Sequence, residues 1–168
     1  KDEICFESWK LILNLIKKNI RPSDIITRRS LENAIASVAM TGGSTNAVLH
    51  LLAVAREMGI KLSIDDFDRI SGKTPLLGDL KPGGKFVATD LYEAGGVRLV
   101  AQRLLDAKLL HADSLTVTGK TIGQEAKEAQ EKRGQWVIRT LRNPLKPTGG
   151  LVILKGNLAP EGAVLKIA

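Results

Sequence analysis

The sequence predicts an α/β chain in which a helix-rich segment, residues 1–113, is followed by a strand-rich segment, residues 114–168. Up to about residue 112 the apolar residues recur at helical spacing between capping, glycine and proline residues. Beyond it they form short β-branched runs bounded by turn residues. A hydrophobic content of 43% in 168 residues is typical of a globular protein. We therefore expect one moderate core or most of two small ones.

The first two predicted helices cover residues 4–19 and 30–39. The first helix carries an apolar stripe at helical spacing, formed by Phe6, Trp9, Leu13 and Ile16. Arg21-Pro22 follows it, because the residue before a proline is pushed out of the helical region. Ser30 is the predicted cap of the second helix, and the glycine pair at 42–43 ends that helix.

A glycine pair and three small polar residues open the third predicted helix, 47–58. These residues are Gly42, Gly43, Ser44, Thr45 and Asn46, and a nearly continuous apolar run follows them. Most of the circumference of this helix is therefore predicted to be buried, and Gly59 stands at a C′ position. Because one helix needs one cap, two of the three polar residues are surplus. Such a helix start suits an anion, and the alternative is an ordinary capped helix.

Shorter elements are predicted for the rest of the helix-rich segment. They are a helix at 65–70 begun by Ser63, a strand at 76–80, a turn at 81–84, a short helix capped by Thr89 and a longer helix at 97–107. Gly95-Gly96 separates the last two helices. The strand-rich segment has predicted strands at 115–118, 136–138, 151–154 and 163–167, with a polar helix at 121–132.

Composition argues against a nucleic-acid or membrane protein. The formal net charge is +7, but the positive residues are scattered and aromatic residues make up only 4% of the chain. Few rings are therefore present for stacking bases, and the charges fit a solvated surface better. The apolar stretches are shorter than the roughly 18–20 residues of a membrane span. The first residues are unlike a signal peptide, and the missing initiator Met favours a segment of a longer protein.

Cys5 is the only cysteine of the sequence. Iron–sulfur clusters use several thiolates, so Cys5 cannot hold one unaided. Its position beside Ile4, Phe6 and Trp9 predicts a buried or half-buried structural thiol.

Ordered blocks of sequence run along the whole chain. They include Gly-Gly-Ser-Thr-Asn at 42–46, Asp-Leu-Lys-Pro-Gly-Gly-Lys at 79–85, Thr-Val-Thr-Gly-Lys-Thr at 116–121 and Asn-Pro-Leu-Lys-Pro-Thr-Gly-Gly at 143–150. In this order the blocks resemble the dihydroxy-acid dehydratase family. Sugar-acid dehydratases and phosphogluconate dehydratase share the first block, whereas the second and third are more similar to the branch that serves branched-chain amino-acid synthesis.

The resemblance implies the end of an α/β N-terminal domain over 1–113 and the first strands of a C-terminal β-barrel domain over 114–168, unfinished at Ala168. Family members convert 2,3-dihydroxy acids to 2-keto acids with an iron–sulfur cluster as Lewis acid, Mg²⁺ to orient the substrate and a serine alkoxide as base. The resemblance also implies a homodimer, in the cytoplasm or in an organellar stroma or matrix. The small-molecule 2,3-dihydroxy acid is the implied partner, with no nucleic acid and no membrane.

The resemblance places the cluster cysteines, the Mg²⁺ ligands and the base outside this segment. We therefore assign no catalytic residue and no metal ligand within it, and expect the isolated chain to be inactive. The residues expected to face substrate or cleft are Gly43, Ser44, Thr45 and Asn46. Lys120 and Thr148 are further candidates for contacts to substrate or to the other domain.

Three other groups are better explained by structure than by chemistry. His50 is predicted to be a hydrogen-bonded structural residue on a mostly apolar helix. The acids Asp65, Asp66 and Asp68 suit the first turn of a helix, where the dipole favours negative charge. Gly119-Lys120-Thr121 lacks the glycine five residues earlier that a phosphate loop requires.

Two functional hypotheses from different classes follow. The first is a fragment of a hydro-lyase of valine and isoleucine biosynthesis, with a sugar-acid or phosphogluconate dehydratase as the alternative within the family. The second is a non-catalytic anion-binding or interaction module that uses the helix start at 44–46.

Overall fold

Eight helices and one two-stranded antiparallel sheet form the fold over residues 2–167, the part of the chain that the structure describes. This computed structural model places the helices at α1 (Asp2–Lys17), α2 (Pro22–Ile25), α3 (Arg28–Thr41), α4 (Asn46–Glu57), α5 (Ile64–Ser71), α6 (Ala88–Ala94), α7 (Gly96–Asp106) and α8 (Ile122–Lys127). The strands are β1 (Leu151–Gly156) and β2 (Ala159–Lys166). Helices therefore precede strands, and the predicted α/β class is confirmed. Lys1 and Ala168, the outer ends of the two predicted segments, lie outside the described residues.

The first helix is present, but its apolar stripe is not covered. No residue of α1 is buried, and Phe6 and Trp9 stack on each other with their ring centroids 6.2 Å apart. The prediction of a buried or half-buried Cys5 is wrong, because the thiol is exposed. The stripe has the right spacing for burial, but no other part of residues 2–167 covers it.

The second predicted helix begins earlier than expected. Thr27, not Ser30, is the N-cap of α3, and its hydroxyl accepts a hydrogen bond from the Ser30 N–H at 3.2 Å. Ser30 returns the bond, since its hydroxyl accepts from the Thr27 N–H at 2.8 Å. This reciprocal pair satisfies donors at the helix start that would otherwise lack partners. The short helix α2 was not predicted.

The third helix is confirmed in position but not in burial. It runs from Asn46 to Glu57, and Gly59 adopts a φ of +65° after it, as a C′ glycine should. Only Val48 and Ala55 are buried in it, and Leu49 is 68% exposed. The apolar run therefore buries one face only, which corrects the expectation of burial around most of the helix.

Two apolar clusters form the core. The first includes Met40, Leu77, Leu99, Leu104 and Ile138. The second includes Ile35, Val48, Phe67 and Leu151. Each cluster contains residues from both predicted segments, so the hairpin and the loop before it pack on the helices and share their core.

Three of the predicted strands, 76–80, 115–118 and 136–138, are not regular strands. Residues 76–80 make single bridges, from Leu76 to Lys146 and from Gly78 to Ile138. Residues 115–118 lie in a turn that closes with a hydrogen bond from the Thr116 N–H to the Lys120 carbonyl at 2.9 Å. The Thr116 hydroxyl donates to the same carbonyl. Threonine is therefore used here for local hydrogen bonding rather than for a sheet.

The predicted strands at 151–154 and 163–167 pair as the hairpin β1–β2. Leu151 lies opposite Lys166 and Ile153 opposite Val164, with an irregularity between Leu154 and Gly156. The hairpin is joined to α5 by polar contacts as well as apolar ones: Ile153 N–H donates to Asp68 Oδ1 at 3.1 Å.

A tight joint lies just before the hairpin. Gly149 N–H donates to the Ser71 carbonyl at 2.8 Å, and Ser71 Oγ donates to the Leu151 carbonyl at 2.6 Å. A Cβ on Gly149 would lie 2.5 Å from Ser71 Oγ and 2.8 Å from the Ala39 Cβ. The absence of a side chain at this position lets the strand approach the helices.

Helix ends in the middle of the chain differ from prediction by a few residues. Helix α6 begins after Val87, whose N–H donates to Asp90 Oδ2 at 2.8 Å, so Thr89 lies within the helix and does not cap it. Helix α8 ends at Lys127, and the predicted helix 121–132 is too long. Within residues 2–167, no helix combines the length and the apolar character that crossing a bilayer requires.

Candidate functional site

The Gly-Gly-Ser-Thr segment lies along an open cleft of about 330 Å³. The cleft is lined by the α3–α4 turn, the turn that follows Leu80 and the end of β2, through Thr41, Gly42, Gly43, Ser44, Thr45, Leu80, Lys81, Pro82 and Lys166. Gly42 ends α3 with a φ of +60°, a conformation that side chains disfavour, and this reverses the chain toward the cleft. Gly43, Ser44 and Thr45, three of the four residues predicted to face substrate or cleft, are part of this lining. That they face a substrate stays a prediction.

Two residues that line this cleft at the start of α4 have backbone donors without an acceptor among residues 2–167. Thr45 is the N-cap of α4, but its hydroxyl makes no capping bond. The Ser44 hydroxyl accepts from the Asn46 N–H at 3.2 Å. The backbone N–H groups of Ser44 and Thr45 find no acceptor among residues 2–167. Two free donors at the positive end of a 12-residue helix favour an anion.

Two lysines line the same cleft. Lys81 comes from the turn after Leu80, and Lys166 comes from β2. Neither side chain forms an ion pair with a carboxylate of residues 2–167. The cleft therefore combines two positive charges with the helix start, and no carboxylate of the described residues lines it.

The turn that carries Lys81 is held by buried Asp79. Its carbonyl accepts from the N–H groups of Lys85 and Phe86, each at 3.0 Å, and its Oδ1 accepts from the Lys85 N–H at 3.2 Å. A Cβ on Gly84 would lie 2.5 Å from Asp79 Oδ1, so the turn closes tightly on this side chain. The position of the Lys81 backbone is therefore fixed before any ligand arrives.

Sequence reasoning found the helix start and missed the lysines. Lys81 lies within a block already singled out, 79–85, but nothing in the sequence indicated that it would face residues 43–45. No sequence pattern pointed to Lys166, because it lies at the cleft only when β2 pairs with β1 and the hairpin packs on the helices. Asn46 is exposed and lies outside the cleft lining.

Two family models match this chain. The model described as dihydroxy-acid/6-phosphogluconate dehydratase N-terminal matches residues 1–125, and the corresponding C-terminal model matches residues 136–168. The chain belongs to this dehydratase family. The resemblance drawn from the ordered sequence blocks is therefore confirmed.

Relatives within the dehydratase family match nearly the whole chain. A protein named dihydroxy-acid dehydratase from Koribacter versatilis (strain Ellin345) is 63% identical over 167 residues, which are 99% of this chain and 29% of that protein. One from Roseiflexus sp. (strain RS-1) is 55% identical, over 99% of this chain and 30% of that protein. One from Thermus thermophilus is 54% identical, over 100% of this chain and 30% of that protein. The chain thus spans about 30% of the length of these curated relatives.

The dehydratase cofactors do not fit the residues of this segment. Within residues 2–167 no group of three or more His, Cys, Asp or Glu side chains could hold a metal ion. Cys5 stands alone on α1, whereas a cluster requires several thiolates. The described residues therefore hold neither the several thiolates of an iron–sulfur cluster nor a group of three metal ligands.

The acidic residues of α5 bind groups of the same chain. Asp65 pairs with Lys155, and Asp68 accepts from a strand N–H. Asp66 accepts two hydrogen bonds from Arg28, at 3.0 and 2.5 Å, and one from Arg69 at 2.9 Å. Partial burial raises the pKa of Asp66, but hydrogen bonds from Arg28, Ser63 and Arg69 outweigh it, so the pKa lies well below its usual value. These acids tie elements together, which agrees with a structural role.

The remaining candidates make local contacts within residues 2–167 or are exposed there. His50 is exposed and makes no side-chain hydrogen bond within residues 2–167, so its predicted hydrogen-bonded role is not found. Lys120 Nζ pairs with Glu128 Oε1 at 2.6 Å. Thr121 caps α8 by accepting from the Gln124 N–H at 3.3 Å. Thr148 is exposed.

Proposed function

We propose that this chain is the part of a dihydroxy-acid dehydratase that holds the carboxylate end of the substrate. The whole protein would remove water from a 2,3-dihydroxy acid to give a 2-keto acid in branched-chain amino-acid synthesis. The observation that carries the proposal is the cleft in which the free N–H groups of Ser44 and Thr45 lie with Lys81 and Lys166. The names of the relatives support the reaction class.

Each part of the cleft suits a carboxylate. The N–H groups at the start of α4 donate hydrogen bonds to an anion, and the helix dipole adds attraction. Hydrogen bonds that involve charged groups are stronger than neutral ones, so the two ammonium groups add to the binding. A carboxylate held here leaves the two hydroxyl-bearing carbons pointing away from this wall. Fixing that geometry before reaction is a large source of rate in enzymes.

The groups that perform the chemistry lie in other parts of the whole protein under this proposal. The iron–sulfur cluster, Mg²⁺ and the serine base would come from outside this segment, as the family resemblance implies. The whole protein would be a homodimer in the cytoplasm, or in an organellar stroma or matrix. The 168-residue chain would then bind an acid weakly and turn nothing over.

The test replaces one cleft lysine in the full-length enzyme. Lys81→Gln should raise the KM for a branched 2,3-dihydroxy acid by about tenfold, because one charge-assisted contact to the carboxylate is lost. Lys85→Gln is the matched control, since Lys85 is an exposed lysine of the same turn that does not line the cleft. Melting temperatures of both variants should equal that of the wild type. If Lys81→Gln and Lys85→Gln have the same KM, the cleft does not bind the substrate carboxylate.

A phosphorylated sugar acid is a second candidate substrate. Two lysines at a helix start would bind a phosphate as well as a carboxylate, and the family description covers both kinds of acid. Steady-state rates of the full-length enzyme on a branched 2,3-dihydroxy acid and on a phosphorylated sugar acid would decide between them. Turnover of neither acid by the cofactor-loaded enzyme would favour the non-catalytic module.

A further inference from the structure

Gly78 lies where the chain segments that form the two sides of the cleft contact each other. One side is the α3–α4 turn, residues 41–45, and the other is the turn that carries Lys81. The Met40 carbonyl accepts from the Leu77 N–H at 2.8 Å and from the Gly78 N–H at 3.0 Å. A single carbonyl, one residue before the first side of the cleft, therefore anchors the segment that leads into the second side.

The contact at Gly78 is too close for a side chain. A Cβ at this position would lie 2.9 Å from the Thr41 Cα and 3.0 Å from the Thr41 carbonyl oxygen. These are backbone atoms of a residue that itself lines the cleft, so no side-chain rotation relieves the overlap. The φ of Gly78 is not positive, so the backbone conformation does not require glycine here. The close approach of the two segments requires it.

The segment is also held just beyond Gly78. The Asp79 N–H donates to the Val137 carbonyl at 2.9 Å, and Asp79 Oδ1 accepts from the Lys85 N–H at 3.2 Å. Gly78 and Asp79 are both buried, and neither lines the cleft. Because closely packed interiors transmit strain, a displacement at Gly78 would move the Lys81 turn away from the α3–α4 turn.

We propose that Gly78 and Asp79 are positioning residues that set the distance between the two sides of the cleft. The close approach at Gly78 brings the Lys81 turn toward the start of α4, and Asp79 holds the turn in that place. One carboxylate then contacts both sides at once. This inference rests on the proposed function and deepens it, because it assigns the fit of the substrate to two residues that do not touch it.

Steady-state kinetics of the full-length enzyme on a branched 2,3-dihydroxy acid test the spacing. Gly78→Ala should raise KM about tenfold and change kcat less, because the bound acid loses its contacts to one side of the cleft. Gly156→Ala is the matched control, since a Cβ at Gly156 meets nothing within 4 Å. Its kinetics should equal those of the wild type. A folded Gly78→Ala enzyme with the KM of the wild type would overturn the proposal.

A double-mutant cycle shows whether Gly78 acts through Lys81. Lys81→Gln should raise KM about tenfold in the wild-type background and less than about threefold in Gly78→Ala, since the displaced lysine has little contact left to lose. Additive effects would mean that Gly78 is merely structural, and would refute its positioning role. If Lys81→Gln leaves KM unchanged in the wild-type background, the proposed function itself is wrong, and this inference is wrong with it.

A second variant tests the same turn without adding atoms. Asp79→Ala removes an acceptor of the Lys85 N–H, so it should raise KM and weaken the effect of Lys81→Gln, as Gly78→Ala does. Asp79→Asn keeps an oxygen at that position and should restore both quantities. If Asp79→Ala melts at a temperature that leaves it folded in the assay and has the KM of the wild type, the positioning role is excluded, even where Gly78→Ala fails to fold.

Discussion

At the scale of single residues, Thr45 at the start of α4 is expected to matter for binding and little for stability. Capping side chains were predicted in surplus at this helix, and the structure shows that the Thr45 hydroxyl makes no capping bond. Thr27, by contrast, accepts a hydrogen bond from the Ser30 N–H. These two threonines stand at the same position of two neighbouring helices, so one serves as a control for the other.

Thr45→Ala should therefore cost little stability. We expect a loss below about 0.5 kcal/mol in the 168-residue chain, whereas Thr27→Ala should cost about 1 kcal/mol, the usual value for a lost N-cap bond. Urea titrations followed by circular dichroism measure both. In the full-length enzyme, Thr45→Ala should lower turnover by more than its change in folded fraction if the cleft aligns substrate. A stability loss as large as that of Thr27→Ala would show that Thr45 is a cap after all.

At the scale of elements, an ion network joins α3 to α5. Asp66 of α5 pairs with Arg28 of α3, and Arg69 of α5 reaches Glu32 of α3 at 3.2 Å. The Asp66 side chain is only 16% exposed. Elsewhere Arg29 pairs with Asp113, but both of those side chains are more than half exposed. The two pairs provide a matched comparison of a partly buried and an exposed ion pair.

Asp66→Asn should lower the free energy of unfolding by about 1–3 kcal/mol at pH 7, because it leaves Arg28 without its full partner. Asp113→Asn should cost under about 1 kcal/mol. The pKa of Asp66 is lowered by folding, so its contribution is complete above its ordinary value of 3.8 and is lost as the pH falls below that value. The difference between wild type and Asp66→Asn in urea titrations should thus shrink below about pH 4. A difference that is the same at neutral and at strongly acidic pH would contradict this assignment.

An element could be predicted from the sequence when the residues that define it are close together in the chain. The helix at 47–58 was found because a cap and a C′ glycine bracket an apolar run, all within one short segment. The strand at 115–118 was wrong, since Thr116 and Thr118 use their hydroxyls in a turn that β-propensity does not reveal. Gly43, Ser44 and Thr45 lie together in the cleft because they are consecutive residues of one turn. Lys166 joins them only through long-range packing of the hairpin, which no local pattern encodes.

At the scale of the whole molecule, the chain belongs to the dehydratase family. Its one cysteine is isolated on α1, and no metal-binding group is present over residues 2–167. The domain boundary near residue 113 stays a prediction, as does the barrel that the resemblance implies.

The 168-residue chain should not assemble an iron–sulfur cluster. Anaerobic reconstitution with iron and sulfide should leave no charge-transfer absorbance after desalting, because one thiolate cannot hold a cluster. The full-length enzyme, treated in parallel, is the positive control and should turn brown. A stable brown chain with one cluster per molecule would contradict the placement of the ligands outside this segment.

The joint at Gly149 sets a limit on how far this molecule can vary. Any side chain there would collide with Ser71 and Ala39, and would push the hairpin off α5. A smaller residue at position 71 would reduce this overlap, but Ser71 Oγ donates a hydrogen bond to the Leu151 carbonyl. A side chain at position 149 is therefore excluded by steric overlap, whereas a smaller residue at position 71 would lose the hydrogen bond to Leu151. For an engineer who wishes to redesign the hairpin, these two positions are best left untouched while the exposed outer face of β1 and β2 is changed freely.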